Sequence, residues 1–176
     1  MRFQKQKENQ EIIIIRKKIV NKFLSKMETE IKRLTSQDID DFIELIKVFE
    51  EVFEIKNFAM PAKEYLQRTL SNENFLASVA KRDGKIIAGF TAYHLDSYYS
   101  EKPLAYIYDL AVLSAFQRQG IGKKLIEYFI QCCKEKNFQE VFVQAEEGDD
   151  HAIEFYRATK PTREAKAIHF TYVLEK

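Results

Sequence analysis

Two cysteines are all that this chain of 176 residues carries, and they stand side by side as Cys132 and Cys133. Neighbours on one helix point in different directions, so the pair is poorly placed to bridge and lacks the spacing of a metal site. Reduced thiols fit a cytoplasmic protein. Long apolar runs are missing too. None approaches the roughly 20 residues needed to cross a bilayer, so no membrane-spanning role is expected. Charge of one sign is also lacking, with 28 Lys and Arg against 27 Asp and Glu for a net +1, and the whole molecule shows no footprint for nucleic acid. The three histidines, His94, His151 and His169, are isolated, and neither zinc spacing nor a Ser/His/Asp arrangement stands out, so no metal is expected. What is present is ordinary globular composition, 45% hydrophobic and 31% charged, in a length that suits one domain with a sizeable core.

Residues 1–27 differ in character from the rest. Met1 to Gln10 is almost wholly polar, then Ile12-Ile13-Ile14-Ile15 meets Arg16-Lys17-Lys18. Positive charge follows the apolar run and no small-residue cleavage site appears, which makes a poor signal peptide. A basic amphipathic helix on a membrane surface would have this composition. The favoured readings are a loosely packed extension, or translation begun upstream of a natural start at Met27.

From Glu28 onward the elements are legible. Glu30 to Leu34 reads as a strand. Thr35 or Ser36 caps a helix in which Ile39, Phe42, Ile46, Phe49 and Phe53 recur at three- and four-residue steps. Pro61 opens a shorter helix carrying Tyr65, Leu66 and Leu70. Phe75 to Ala80, Asp83-Gly84 and Ile86 to Leu95 read as a β-hairpin. Leu104 to Val112 is the next strand, Ile121 to Lys134 an amphipathic helix, and Glu140 to Ala145 another strand. A helix from Asp149 to Thr159 and a last strand from Ala167 to Leu174 complete the chain. Strands and helices mix as an α+β layer structure rather than a strict βαβ repeat.

Between that central strand and helix lies Gln117-Arg118-Gln119-Gly120-Ile121-Gly122. Backbone N–H groups at a helix start have no intrahelical partner, and the helix dipole adds positive charge there, so a phosphate-bearing ligand satisfies both. Gly120 and Gly122 let it approach the backbone. The loop lacks the third glycine of the dinucleotide fingerprint and the Gly-Lys-Ser/Thr ending of a P-loop.

Gln117-x-x-Gly120-x-Gly122 after a strand resembles the acetyl-CoA pyrophosphate loop of the GNAT acetyltransferase superfamily. The likeness covers nearly all of residues 28–176. It is nearest to the type I aminoglycoside 3-N-acetyltransferases, through Tyr106-Ile107-Tyr108-Asp109-Leu110-Ala111-Val112, Val143-Gln144-Ala145-Glu146 with Gly148-Asp149-Asp150, Ala152, Tyr156 and His169-Phe170. Tyr65-Leu66-Gln67-Arg68 and Gly89-Phe90-Thr91-Ala92 are similar to that subgroup as well. One departure is Lys160-Pro161, where the family often has Gly-Phe.

The resemblance implies a GNAT fold: a central mixed, mostly antiparallel sheet flanked by helices and splayed at the acetyl-CoA site. It implies direct acetyl transfer from acetyl-CoA, as co-substrate, to an amine without a covalent enzyme intermediate. Leu110, Ala111 and Val112 would pair with the pantetheine arm, the Val112 N–H holding the thioester oxygen. Gln117, Arg118, Gln119, Gly120, Ile121, Gly122 and Lys123 would hold the pyrophosphate, Arg118 and Lys123 adding charge. Tyr156 stands where many members carry a tyrosine that protonates the departing thiolate; a core tyrosine beside Phe155 is the alternative.

Polycationic acceptors need an acidic site. Glu146, Glu147, Asp149 and Asp150 follow one strand, and Asp109 lies in another. Asp109 is costly to bury unpaired in so apolar a run, so it is the first candidate to bind an ammonium or take its proton, with Glu146 second. The alternatives are an outward-facing Asp109 and an N-cap at Asp149 or Asp150. The expected substrate is a small polycation, foremost the 3-amino group of an aminoglycoside, giving antibiotic resistance. A polyamine or other small amine is the alternative, and a CoA-binding regulatory module without turnover is a third reading. Dimers are common in the family, so a homodimer is left open.

Overall fold

The computed structural model describes residues 28–174; the N-terminal extension read from the sequence lies outside them. The chain divides after Gln144 into two compact units.

The first unit is built on a five-stranded sheet in the order β1 (Glu30–Arg33), β2 (Phe75–Arg82), β3 (Lys85–Leu95), β4 (Leu104–Val112) and β5 (Glu140–Val143). The first three pairings are antiparallel and β4–β5 is parallel. This is the α+β, mixed but mostly antiparallel sheet expected. The β2–β3 hairpin turns on Asp83 and Gly84, both at positive φ, 52° and 75°. That is the two-residue turn whose twist matches the flanking strands, and it is why Asp-Gly marks it in the sequence.

Helices α1 (Ile39–Val52) and α2 (Lys63–Leu70) cover one face, and α3 (Ile121–Glu135) packs on the other. On α1 the buried stripe is Ile39, Phe42, Leu45, Val48 and Phe49. The expected members Ile46 and Phe53 lie off it, with Phe53 exposed, because Leu45 must meet the sheet at Gly89. A Cβ on Gly89 would lie 2.4 Å from the Ser78 carbonyl oxygen and 2.5 Å from Leu45 Cδ1. Glycine there is a condition of the close approach of helix to strand.

The start of α1 also differs from expectation. Neither Thr35 nor Ser36 caps it directly; the helix begins at Ile39 after a turn closed by Asp38 N–H to Thr35 O at 2.9 Å. Asp38 Oδ2 accepts from both the Thr35 N–H and its hydroxyl, at 2.8 and 2.7 Å. Lys32 at 2.6 Å, followed by these Thr35 bonds, holds the Asp38 carboxyl down to about 2. Pro61 likewise stands two residues ahead of α2 rather than at its first position.

The second unit contains α4 (Asp150–Ala158). The Asp149 side chain accepts the Ala152 N–H at 2.9 Å, the N-cap that the sequence offered at one of two positions. Beyond Thr159, Lys160 takes φ 60° before Pro161. It fills the left-handed position that glycine usually takes at a helix end. The strand expected over Ala167 to Leu174 is not formed: those residues are irregular and exposed, Ile168 80% and Phe170 74%. Alternating β-branched and aromatic residues supply propensity, but a strand exists only through a partner's ladder. Among the described residues none pairs with this segment.

Gly89→Ala tests the packing. The forced clash is expected to destabilise the protein by about 1–3 kcal/mol, read from its denaturant midpoint; an unchanged midpoint would show that Leu45 can move away at no cost.

Candidate active site

β4 carries the site because its two ends are treated differently. β5 pairs only with Leu104–Ile107, so from Tyr108 to Val112 the strand is bonded to β3 alone among the described residues. Leu113 N–H donates to Ile87 O at 2.9 Å, which makes that pair hydrogen-bonded. Antiparallel pairs alternate, so Ala88↔Val112 and Phe90↔Leu110 are the pairs without mutual bonds. The peptide groups of Leu110 and Val112 therefore point away from β3, towards the open edge. The sheet splays at this place.

Gln117 acts on that edge. Its side-chain N–H donates to the Val112 carbonyl at 3.0 Å, tying the glycine loop to the strand end and leaving the Val112 N–H unused by it. The loop follows a short 3₁₀ turn at Ser114–Phe116 and places Arg118 at φ 60° and Gly120 at φ 78° before α3 begins. A Cβ on Gly120 would meet nothing within 4 Å, so its constraints are backbone conformation and whatever approaches from outside. No side chain caps α3, and its first turn holds no acid. Lys123 is exposed and weakly paired with Glu127 at 3.7 Å. Uncapped amides with uncompensated positive dipole are what an anionic group requires.

Arg82, a residue that the sequence reading passed over, supports this loop. Its Nη1 donates to Gln119 Oε1 at 2.7 Å and its Nη2 to Thr29 Oγ1 at 3.0 Å, with the guanidinium 5.4 Å over the Phe116 ring. Gln119 in turn donates to Ala115 O at 3.2 Å. An arginine beside a hairpin turn reads in sequence as a solvated charge, and no local signal links it to residues 37 positions away.

On the α1 face, an aromatic group surrounds Asp109. The register runs Thr91↔Asp109 and then Ala92↔Ile107, leaving Tyr108 as an extra residue, a β-bulge. In a regular strand Tyr106 and Asp109, three residues apart, would face opposite sides. With the bulge, Tyr106 sits opposite Tyr93 and Asp109 opposite Thr91, both on one side. Tyr108 meets Tyr93 at 5.7 Å and Tyr106 at 6.0 Å between ring centroids. Tyr106 stacks on Phe142 at 4.9 Å and donates to Gln144 Oε1 at 3.1 Å.

The half-buried Asp109 carboxyl is pushed up by burial and drawn partly back by the Thr91 hydroxyl, which donates to it at 3.3 Å; no cation contributes. Burial, then Tyr108 and Asp109, push the Tyr93 and Tyr106 hydroxyls up, and Tyr65 of α2 adds to the effect at Tyr93. Asp109 is thus a half-buried carboxylate in an aromatic setting, hydrogen-bonded by Thr91 and without an ion pair among the described residues.

The second unit holds the other expected residues. Glu146 O accepts the Asp149 N–H at 3.1 Å in a turn that Gly148 completes at φ 105°. Asp149 is engaged as the N-cap, and Asp150 opens α4. Exposed Glu147 lies 3.7 Å from exposed Lys166, a geometry of little energetic weight. Tyr156 is half-buried on α4, its ring 5.0 Å from that of Phe155. Among the described residues no cluster of His, Cys, Asp or Glu is placed to hold a metal ion.

A model of the acetyltransferase (GNAT) family matches residues 39–159. The aminoglycoside acetyltransferase meta-AAC0020 from an uncultured soil metagenomic sample, solved in complex with sisomicin, is 54% identical to this chain with a TM-score of 0.83. That match covers 84% of this chain and 97% of the other. The aminoglycoside acetyltransferase HMB0005, also from an uncultured soil metagenomic sample, is 29% identical with a TM-score of 0.78, covering 84% and 99%. An uncharacterised N-acetyltransferase of Archaeoglobus fulgidus is 31% identical over 115 residues, 61% of this chain and 76% of its own length.

Two outcomes check this geometry. Because the Asp109 carboxyl is raised in the folded state, its ionisation costs stability as pH rises through that window. Asp109→Asn is therefore expected to raise Tm at neutral pH and to lose its advantage below the ordinary carboxylate range. Equal Tm differences at pH 3 and pH 7 would contradict the burial. Arg82→Ala is expected to accelerate amide hydrogen exchange from Gln117 to Lys123 while the strands stay protected; unchanged exchange would mean that the loop holds itself.

Proposed function

The chain belongs to the GNAT acetyltransferase family, a family of N-acetyltransferases, and from that premise we propose that it moves an acetyl group from acetyl-CoA to an amine of a small polycation. The acceptor we infer is an aminoglycoside, at the 3-amino group, with loss of that cationic amine as the basis of antibiotic resistance. The observation that carries the reading is the placement of an unpaired, half-buried carboxylate among tyrosines, beside an open strand edge that ends in an anion-ready helix. In this reading residues 28–176 work as one transferase domain.

Acetyl-CoA supplies the activated acetyl group, and this chain has groups suited to each part of it. The peptide edge of Leu110 to Val112 receives an extended amide-bearing arm as an added strand does, and the Val112 N–H faces the thioester oxygen. The amides from Arg118 to Lys123 hold the pyrophosphate, with the Arg118 and Lys123 side chains adding charge. Gln117 keeps loop and strand in register.

Asp109 binds the acceptor's ammonium and takes its proton, directly or through water. A carboxyl raised by burial is a stronger base than a solvated one, and an arriving cation supplies the charge that Asp109 lacks. The faces of Tyr93, Tyr106 and Tyr108 suit sugar rings and their ammonium groups alike. Glu146 is the second base candidate, and Glu147, Asp149 and Asp150 are candidates to bind further ammonium groups of the acceptor. Tyr156 returns a proton to the departing thiolate.

The sisomicin complex of a relative 54% identical to this chain supports an aminoglycoside acceptor. The 3-amino position rests on the motif blocks around Tyr106 to Val112 and Gly148-Asp149-Asp150.

Thiol release from acetyl-CoA, measured with gentamicin, kanamycin, spermidine and a lysine peptide, is the test. Turnover is expected on gentamicin and not on the peptide, and NMR of the product is expected to place the new amide at N3. Asp109→Asn and Tyr156→Phe are each expected to lower kcat by about 10²-fold or more. Turnover on spermidine alone would replace the aminoglycoside by a polyamine. CoA binding without turnover on any amine would overturn the catalytic reading.

A further inference from the structure

A cavity of about 250 Å³ lies on the face of the sheet opposite Asp109. It is lined from β2 by Leu76 and Ser78, from the second half of α3 by Tyr128 and Phe129, and by Lys136 just after that helix, with Arg33 from β1. Ser78 is paired with Phe90, whose ring packs on Phe129 of α3 at 4.8 Å. This therefore is the α3 face, and the sheet itself separates the cavity from Asp109. Along α3, Lys123 and Glu135 are 12 residues apart, about 18 Å at 1.5 Å per residue, so the cavity near its C-terminal end is also remote from the glycine loop.

Two of its polar groups are already engaged: His94 Nε2 lies 3.1 Å from Asp96 Oδ1, and the Tyr128 hydroxyl is hydrogen-bonded to Cys132. Ser78 is only 3% exposed and lines the cavity with its β2 neighbour Leu76. Arg33 and Lys136 form no ion pair among the described residues. Both lie near the C-terminal half of α3: the charge of Arg33 is felt at Tyr128, and both charges are felt at Cys133. Glu73 is the one acid in the lining, against two permanent cations and His94. The remaining wall is apolar, formed by Leu76, Phe129 and Phe138.

We propose that this cavity is a second ligand site, which binds a small carboxylate carrying a compact apolar body. The carboxylate lies between Arg33 and Lys136 and accepts from the Ser78 hydroxyl, while the apolar body covers Phe129 and Phe138. Bidentate geometry favours Arg33 for the carboxylate plane, and Lys136 acts as a point charge. The volume admits a ligand of one ring and excludes anything as large as a nucleotide. Phosphate alone would satisfy the cations but leave the apolar wall wet. Nothing in this assignment depends on acetyl transfer.

The test is an amide NMR titration of the full chain with benzoate, benzamide and inorganic phosphate, in the absence of CoA. Benzoate is expected to give saturable shifts at Ser78, Tyr128 and Phe138 at millimolar concentration or below, with the Asp109 and Gly120 amides unmoved. Arg33→Gln and Ser78→Ala, each confirmed folded by its undisturbed spectrum elsewhere, are expected to weaken binding about tenfold or more. Lys136→Gln, at an exposed position, should weaken it in the same direction. Benzamide binding as well as benzoate would overturn the role of charge, and phosphate binding equally well would overturn the role of the apolar wall. Absence of saturable shifts with benzoate, or shifts insensitive to all three substitutions, would overturn the site.

Discussion

One extra residue in β4 sets the chemistry of the sheet. Without the bulge at Tyr108, strict alternation would send Tyr106 and Asp109 to opposite faces. With it, three tyrosines and a carboxylate share the α1 face, and the residues beyond it, Leu110 to Val112, continue along β3 while β5 has already ended. The same irregularity thus helps to build both halves of the site, a polar spot in an aromatic wall and a free peptide edge beside it. Bulges commonly re-aim a side chain or terminate pairing, and here both occur within five residues.

The free edge and the glycine loop are held by two side-chain contacts. Gln117 fastens the loop to Val112 O, and Arg82 fastens Gln119 from across the hairpin. The loop's own backbone is held in the left-handed region twice, once at a non-glycine residue, Arg118. Such conformations persist only where the surroundings enforce them. Arg82 contributes to that enforcement at the cost of burying its Nε without a partner. The rigid peptide dipoles so obtained need no reorganisation to meet an anion, which is the advantage of preformed electrostatics.

Much of this was legible in the sequence because the signals were local. Asp83-Gly84 fixes a hairpin through φ, the Ile121 to Glu135 helix shows its apolar face by spacing, and Gly120 marks the start of that helix. Asp149 declares its N-cap role within three residues. What was not legible is nonlocal. A bulge is defined by its partner strand, so Tyr-Ile-Tyr-Asp reads as plain alternation until β3 is placed beside it. The buried stripe of α1 was set by where Gly89 lets Leu45 descend, not by the periodicity, which admits Ile46 as readily. Arg82 carried no sign of its partners. The last expected strand failed for the same reason: Ala167 to Leu174 has the composition of a strand, and only a neighbouring edge could have made it one.

Asp109 gives the most direct measurement. Its carboxyl ¹³C signal, followed against pH with and without bound gentamicin, tests the proposal that this carboxylate receives the acceptor's ammonium. In the free protein burial raises the carboxyl above its usual value, and a bound ammonium beside it is expected to favour the ionised form and bring the midpoint down. A midpoint unmoved by gentamicin under saturating conditions would mean that the polycation binds elsewhere and that the aromatic carboxylate is not the acceptor site.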